Sequence, residues 1–352
     1  MKHTIPLAAA ALALALATTS TAQDVETPAA PSPGEIVDAA PYEDWVTIDP
    51  EDLVVMTLAP DAEGNARKVV IQLIGAPFSQ GWVENIRTLA RAEYWDGSEV
   101  LRVQDNYVTQ WGQPDPEMGV DPKPVPEGLN VMTEADYVST NDDITDVLMA
   151  RTPEADIARI LAEGEGSAEY GIKMRLRAIL GEDTYSEGGA LFCSGWPLAS
   201  AGRELASDIW PVHCYGMVGV GRNYSPDTGD ASQLYTVIGH APRHLDRNIA
   251  LVGRIVEGME HLSNLPRGKG PLGFYEDPAR RVPILSVRIG ADLPENEKPR
   301  FEYLSTESAS FAAYAEARAN RRDPFFIVPA GGADICNIPV PVRSFELMDE
   351  GE

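Results

Sequence analysis

Residues 99–112 read EVLRVQDNYVTQWG, and their pattern decides the fold. Two short runs, Glu99 to Gln104 and Tyr107 to Trp111, flank the turn pair Asp105-Asn106, which is the signature of two adjacent strands. Side chains alternate across a strand, so Leu101 and Val103 share one face while Arg102 points to the other. An arginine centred in a strand is a candidate for chemistry.

Working upstream, Leu53 to Leu58 and Lys68 to Leu73 form two more strands, joined by a turn from Asp61 to Asn65 that carries Gly64. The period then changes. Val83, Ile86, Leu89 and Ala90 recur at helical spacing after Ser79-Gln80-Gly81, which predicts a helix of three turns ending near Tyr94-Trp95-Asp96-Gly97. Downstream, residues 114–213 are Pro-rich, acidic and weakly helical in parts (Asp156 to Leu161, Ile172 to Leu180), with no repeat and no clean domain signal. Strand patterns return at Gly216 to Val220, Ser232 to Ile238, Leu251 to Ile255 and Val282 to Ile289, with a short helix over Gly258 to Leu265. No evenly spaced βαβ unit occurs, so the order favours an antiparallel sheet or barrel with helices added.

The 352 residues carry 28 Lys plus Arg against 54 Asp plus Glu, a formal charge of −26. That field repels polyanions and argues against a nucleic-acid partner. Lys2 and His3 precede an Ala/Leu run from Leu7 to Ala17, and Ser20-Thr21-Ala22 offers a small-residue cleavage site. Residues 1–22 are therefore expected to be a secretory signal peptide, and the mature protein to be periplasmic or secreted. The run is too short to span a bilayer, and no later segment is long and apolar enough to do so. Residues 23–52 are acidic and proline-rich and read as a linker; residues 290–352 form a C-terminal extension, with a helix near Ser308 to Arg318 and a last strand around Cys336 to Val342. Export makes a disulfide possible, and three cysteines allow one bridge. Of the three pairings, Cys193 with Cys214 closes the shortest loop and is preferred. No CxxC occurs, and Pro242 keeps His240 and His244 off one regular helical face, so no metal and no cofactor are expected.

Taken in order, several segments resemble the cyclophilins, the prolyl cis/trans isomerase family. Glu84-Asn85-Ile86, Tyr94-Trp95-Asp96-Gly97, Leu101-Arg102-Val103 followed by Tyr107-Val108-Thr109-Gln110-Trp111-Gly112, and then Gly216-Met217-Val218, Ser232-Gln233-Leu234-Tyr235, His244-Leu245-Asp246 and Val252 to Met259 match family motifs in sequence. The resemblance covers residues 53–113 and 214–289. It implies a mainly β fold, a closed antiparallel barrel of eight strands capped by two helices and spanning 53–289, with 114–213 inserted.

The resemblance also implies a site. Arg102 would donate a hydrogen bond to the prolyl nitrogen, and Gln110 would bind substrate backbone. Tyr107, Val108, Tyr235 and Leu245 would form the proline pocket, with Gln233 and His244 beside it. The substrates would be proline-containing polypeptides. Tyr107 and Tyr235 stand where the family has Phe, and each added hydroxyl needs a partner or water. His244 and Ile249 depart from the family pattern and reshape the groove. They leave a second class of function open, a cyclophilin-like chaperone or partner-binding module with little turnover.

Overall fold

The structure is a computed structural model that describes residues 29–114, 123–151, 181–202 and 207–346. The expected signal peptide and the weakly helical stretches Asp156 to Leu161 and Ile172 to Leu180 lie outside the described residues. The chain begins with helix α1 (Pro33–Asp38) and strand β1 (Trp45–Thr47), followed by β2 (Leu53–Leu58), β3 (Arg67–Leu73), helix α2 (Gln80–Arg91) and the hairpin β4 (Glu99–Val103) and β5 (Val108–Gly112). The insertion contributes β6 (Ser139–Thr140), α3 (Asn141–Arg151), β7 (Gly189–Cys193), β8 (Trp196–Ser200) and β9 (Asp208–Pro211). Then come β10 (Met217–Val220), β11 (Gln233–Val237), β12 (Leu251–Glu257), the one-turn helix α4 (Glu260–Ser263) and β13 (Val282–Ile289). The extension adds β14 (Phe301–Leu304), α5 (Ala309–Ala319) and β15 (Val342–Ser344).

Eight strands close into a barrel in the order β10-β11-β5-β4-β13-β2-β3-β12, every neighbouring pair antiparallel. Closure removes the unpaired edges that an open sheet would expose. Val54, Met56, Leu58, Val69, Ile71 and Leu73 belong to the main core, and α2 buries Trp82, Val83, Ile86 and Leu89 in that same core. The barrel interior is filled, with a residual cavity of only about 10 Å³, so a ligand must bind on the outside.

The other face of β2 and β3 is also covered. Leu53, Val55 and Val70 meet Phe301 and Tyr303 of β14, which explains why the run LVVMTL is apolar almost throughout instead of alternating. β14 is the centre of a second sheet, β1-β14-β15, made from both ends of the chain. Ile36 and Val37 of α1 pack with Phe311 and Tyr314 of α5. Residues 33–52, expected to be linker, are thus partly built into this layer. The local signal is Ser32-Pro33-Gly34-Glu35: Ser32 and Glu35 form a reciprocal capping box, and Pro33 occupies the first turn. In the tail, the helix occupies Ala309–Ala319 as expected. The strand starts only at Val342, because Ile335–Asn337 forms a 3-10 turn.

The insertion forms a third sheet, β6-β9-β8-β7. Its β7–β8 hairpin turns at Ser194-Gly195, both with positive φ, the geometry of the tight turns that favour glycine. Leu191, Trp196, Leu198, Ile209 and Trp210 join the barrel's core, so the insertion is packed on the barrel and shares its core. The preferred cysteine pairing is corrected: Cys214 bonds Cys336, across 122 residues, and buried Cys193 is not in a disulfide. Strands β8 and β9 run between Cys193 and Cys214, so their short separation in sequence does not bring them together. The extension carries Cys336 back to the start of β10.

Candidate active site

Arg102 and Gln110 face each other across the β4–β5 hairpin. A register shift between Val100 and Arg102 breaks the simple alternation. Val100 and Val103 lie in the interior core, while Leu101 lines an external groove together with Arg102. The expected sharing of one face by Leu101 and Val103 is therefore replaced by a bulge that turns two consecutive residues outward.

That groove has a volume of about 910 Å³. The Arg102 guanidinium lies between the rings of Tyr107 and Phe274, 5.7 and 5.5 Å from their centroids. Its Nε donates to the Leu272 carbonyl at 2.7 Å, one terminal nitrogen donates to Gln110 Oε1 at 3.1 Å, and the other donates to Gln104 Oε1. These contacts use three of its five N–H donors. Burial draws its pKa below the ordinary arginine value, partly offset by Tyr107; a guanidinium keeps its charge under such a shift. Burial likewise pushes the Tyr107 phenol up.

The segment that supplies Leu272 and Phe274 runs beside β4. Gly268 donates to the Val103 carbonyl at 2.9 Å and Tyr275 to the Leu101 carbonyl at 3.0 Å, and Arg102 and Phe274 form a single bridge pair. This segment covers the arginine.

Gln110 is fixed in orientation. Its Oε1 accepts from Arg102, and its Nε2 donates to Gln233 Oε1 at 2.7 Å; Gln233 Nε2 in turn donates to the Gln113 carbonyl at 3.3 Å. Since a guanidinium only donates, each amide along this line has one allowed orientation. Next to it, Val108, Tyr235, Leu245 and Ile249 form an apolar cluster with Tyr107, and all five line the groove. Leu245 is carried by the 3-10 turn Arg243–Leu245.

The groove's far wall joins the insertion to the barrel. Asn85 of α2, buried, donates to the Asn130 and Asp230 carbonyls at 3.0 and 3.2 Å and accepts from the Asn130 amide at 2.7 Å. Thr228 donates to the Met132 carbonyl at 2.9 Å. Asn130, Val131 and Met132 are thereby held at the rim.

Of the residues expected from sequence, Arg102, Tyr107, Val108, Gln110, Gln233, Tyr235 and Leu245 line this one groove. His244 does not: it is exposed and stacks on Tyr107, 6.0 Å between centroids and 15° from parallel. Sequence reading missed Leu272, Phe274 and the rim at Asn130 to Met132, since none carries a motif. Among the described residues, no group of three or more His, Cys, Asp or Glu is placed to hold a metal ion, and no helix is long and apolar enough to cross a membrane.

A closed eight-stranded barrel with an external groove that joins an arginine and a glutamine to an apolar pocket is the architecture the motifs implied. The family described as "Cyclophilin type peptidyl-prolyl cis-trans isomerase/CLD" matches residues 65–289, more than half of the chain. The chain belongs to the cyclophilin-type peptidyl-prolyl cis-trans isomerases. Among solved structures it is similar to the cyclophilin AquaCyp293 from Hirschia baltica, at 19% identity and a TM-score of 0.55, covering 87% of this chain and 95% of that one. It is also similar, more distantly, to a cyclophilin-type isomerase from Cryptosporidium parvum solved in the presence of the dipeptide Ala-Pro, at 11% identity and a TM-score of 0.32, covering 67% of this chain and 98% of that one. No curated protein matches the sequence. The likeness to AquaCyp293 concerns the fold, and it covers a larger share of this chain than the family match does.

Proposed function

We propose that the groove isomerises Xaa-Pro bonds in exposed segments of exported proteins, with Arg102 as the catalytic hydrogen-bond donor. Rotation about the peptide C–N bond costs roughly 18–20 kcal/mol because amide resonance is lost. Spontaneous Xaa-Pro exchange therefore takes tens of seconds or longer, slow enough to stall folding. In the twisted state the nitrogen lone pair localises and accepts a hydrogen bond that the planar amide accepts only poorly. A donor placed there stabilises the transition state over the ground state and needs no nucleophile, metal or proton transfer.

One observation carries this reading: Arg102 is immobilised through Leu272, Gln104 and Gln110 at the edge of the Val108–Tyr235–Leu245 cluster, with donors left over. A prolyl ring seated in the cluster would place its nitrogen within reach of those donors. Gln110 and Gln233 would hold the flanking substrate backbone. A charge-assisted hydrogen bond contributes about 1.5–3 kcal/mol, or roughly 10- to 150-fold in rate; desolvation and placement would supply the rest. In a protease-free isomerisation assay, Arg102→Ala is expected to lose about 10- to 150-fold in kcat/KM. Equal rates for the two proteins exclude Arg102 as the donor, and a wild type no faster than the spontaneous reaction excludes the whole assignment.

The proposed compartment is the periplasm or the exterior. The stretch from Lys2 to Ala22 supports it, as does the Cys214–Cys336 disulfide, since such bonds persist in oxidising compartments. Mass spectrometry of the exported protein is expected to find Gln23 as the first residue and a crosslinked Cys214–Cys336 peptide. Retention of Met1, or a Cys193–Cys214 peptide, contradicts this.

A further inference from the structure

Tyr235 carries a hydroxyl at the floor of the proline pocket, where only a ring is needed for apolar contact. The structure gives that hydroxyl a partner. His213, the last residue of the insertion, places Nε2 at 3.1 Å from Tyr235 Oη, with the two rings stacked 14° from parallel. On the other side of the imidazole, Nδ1 lies 3.0 Å from Asp246 Oδ1, and the His213 backbone amide donates to the same oxygen at 3.0 Å.

Asp246 Oδ2 accepts from Arg243 Nε at 2.6 Å, and the Arg243 fork closes on both oxygens of Asp183 at 3.0 and 2.8 Å. The side chains of His213, Asp246, Arg243 and Asp183 are 1–5% exposed. Asp183 and His213 belong to the insertion, whereas Tyr235, Arg243 and Asp246 belong to the barrel. A carboxylate only accepts, so Asp246 keeps an imidazole proton on Nδ1, and in the neutral ring Nε2 is then the acceptor for the Tyr235 O–H. The hydroxyl also needs room. Gly219, paired with Tyr235 across β10–β11, supplies it: a Cβ there would lie 2.3 Å from Tyr235 Oη.

We propose that His213 is a positioning residue of the proline pocket: by accepting the Tyr235 hydroxyl it fixes the ring against which the substrate proline packs, so the insertion sets the depth of the pocket. This rests on the reading that the Val108–Tyr235–Leu245 cluster receives the prolyl ring. His213 does not touch the substrate. Its effect passes through Tyr235, and Asp246 and Arg243 hold it in turn. Because Asp246 follows Leu245 directly, the same network also anchors the turn that carries a second pocket residue.

The test is a double-mutant cycle in the full-length mature protein, with kcat and KM for one Xaa-Pro peptide measured without a coupling protease. Tyr235→Phe and His213→Leu are each expected to raise KM about 3- to 10-fold, the value of a neutral hydrogen bond, with kcat changed less than about twofold. The double variant is expected to be no worse than either single one. His213→Gln, whose amide oxygen can still accept, is expected to restore most of the loss. Wild-type KM in both single variants, or a double variant whose loss is the product of the two, overturns the proposal.

If His213→Leu does not fold, Tyr235→Phe and His213→Gln decide alone: an unchanged KM in the first or an unrescued KM in the second overturns it. NMR gives a readout independent of turnover. A slowly exchanging Tyr235 hydroxyl proton is expected in the wild type and in His213→Gln, and its absence in the wild type refutes the anchor. A wild type that shows this proton but accelerates no peptide refutes the assigned function and leaves the anchor standing.

Discussion

Arg102 and Tyr235 show how differently single residues declare themselves. Arg102 was legible because a charged side chain in the middle of a strand is out of place unless its face is used. Tyr235 was legible only as a ring with an unexplained hydroxyl; its partner His213 lies 22 residues upstream, beyond the insertion boundary, where no local pattern points to it. Gly219 is the steric counterpart of that pair. A methyl group there would meet Tyr235 Oη at 2.3 Å and Cζ at 2.4 Å, against the hydroxyl end of a buried ring that His213 holds in place. Gly219→Ala is therefore expected to push the ring out of place and to cost about 1–3 kcal/mol, as overpacking of a filled core does. It should also raise KM for prolyl peptides. Denaturant unfolding measures the first effect and the isomerisation assay the second; wild-type stability would show that the ring shifts freely.

At the scale of elements, most of the barrel could be read and most of its additions could not. The strand at Val282–Ile289 and the helix over Gln80–Arg91 follow their periodicity closely, because one face of each is buried and the pattern records which. Strand β1 has three residues, and its partner is Glu302 to Leu304 at the other end of the chain, so its pairing leaves no local trace. Proline content marked residues 23–52 as linker, yet Pro33 starts a helix and Pro50 a 3-10 turn, places where a missing N–H costs nothing. The insertion's hairpin did carry a signal, Ser194-Gly195 between two apolar runs. It was obscured by the acidic, Pro-rich composition around it. The wall over Arg102 was hidden for another reason. Leu272 contributes a backbone carbonyl, and a carbonyl belongs to every residue type.

For the whole molecule, two further sheets share one barrel: the insertion sheet and the terminal sheet each cover a part of its outside, and among the described residues the groove lies where neither sheet closes over it. The charge of −26 acts at this scale. The groove's own lining is nearly balanced, with Arg102 and Arg222 set against Asp227 and Asp230, so short-range contacts give little preference between acidic and basic substrates. The long-range field does, because a strongly negative surface repels a negative chain as it approaches and during binding. At low ionic strength, an Xaa-Pro peptide flanked by lysines is therefore expected to show a lower KM than the same peptide flanked by glutamates, with kcat nearly equal. Screening shortens the Debye length from about 30 Å at 0.01 M to about 3 Å at 1 M salt. The gap should then close as salt is added, whereas a preference set by direct ion pairs inside the groove would largely persist. Equal KM values for the two peptides at low salt would mean that the acidity serves solubility alone and has no part in choosing substrates.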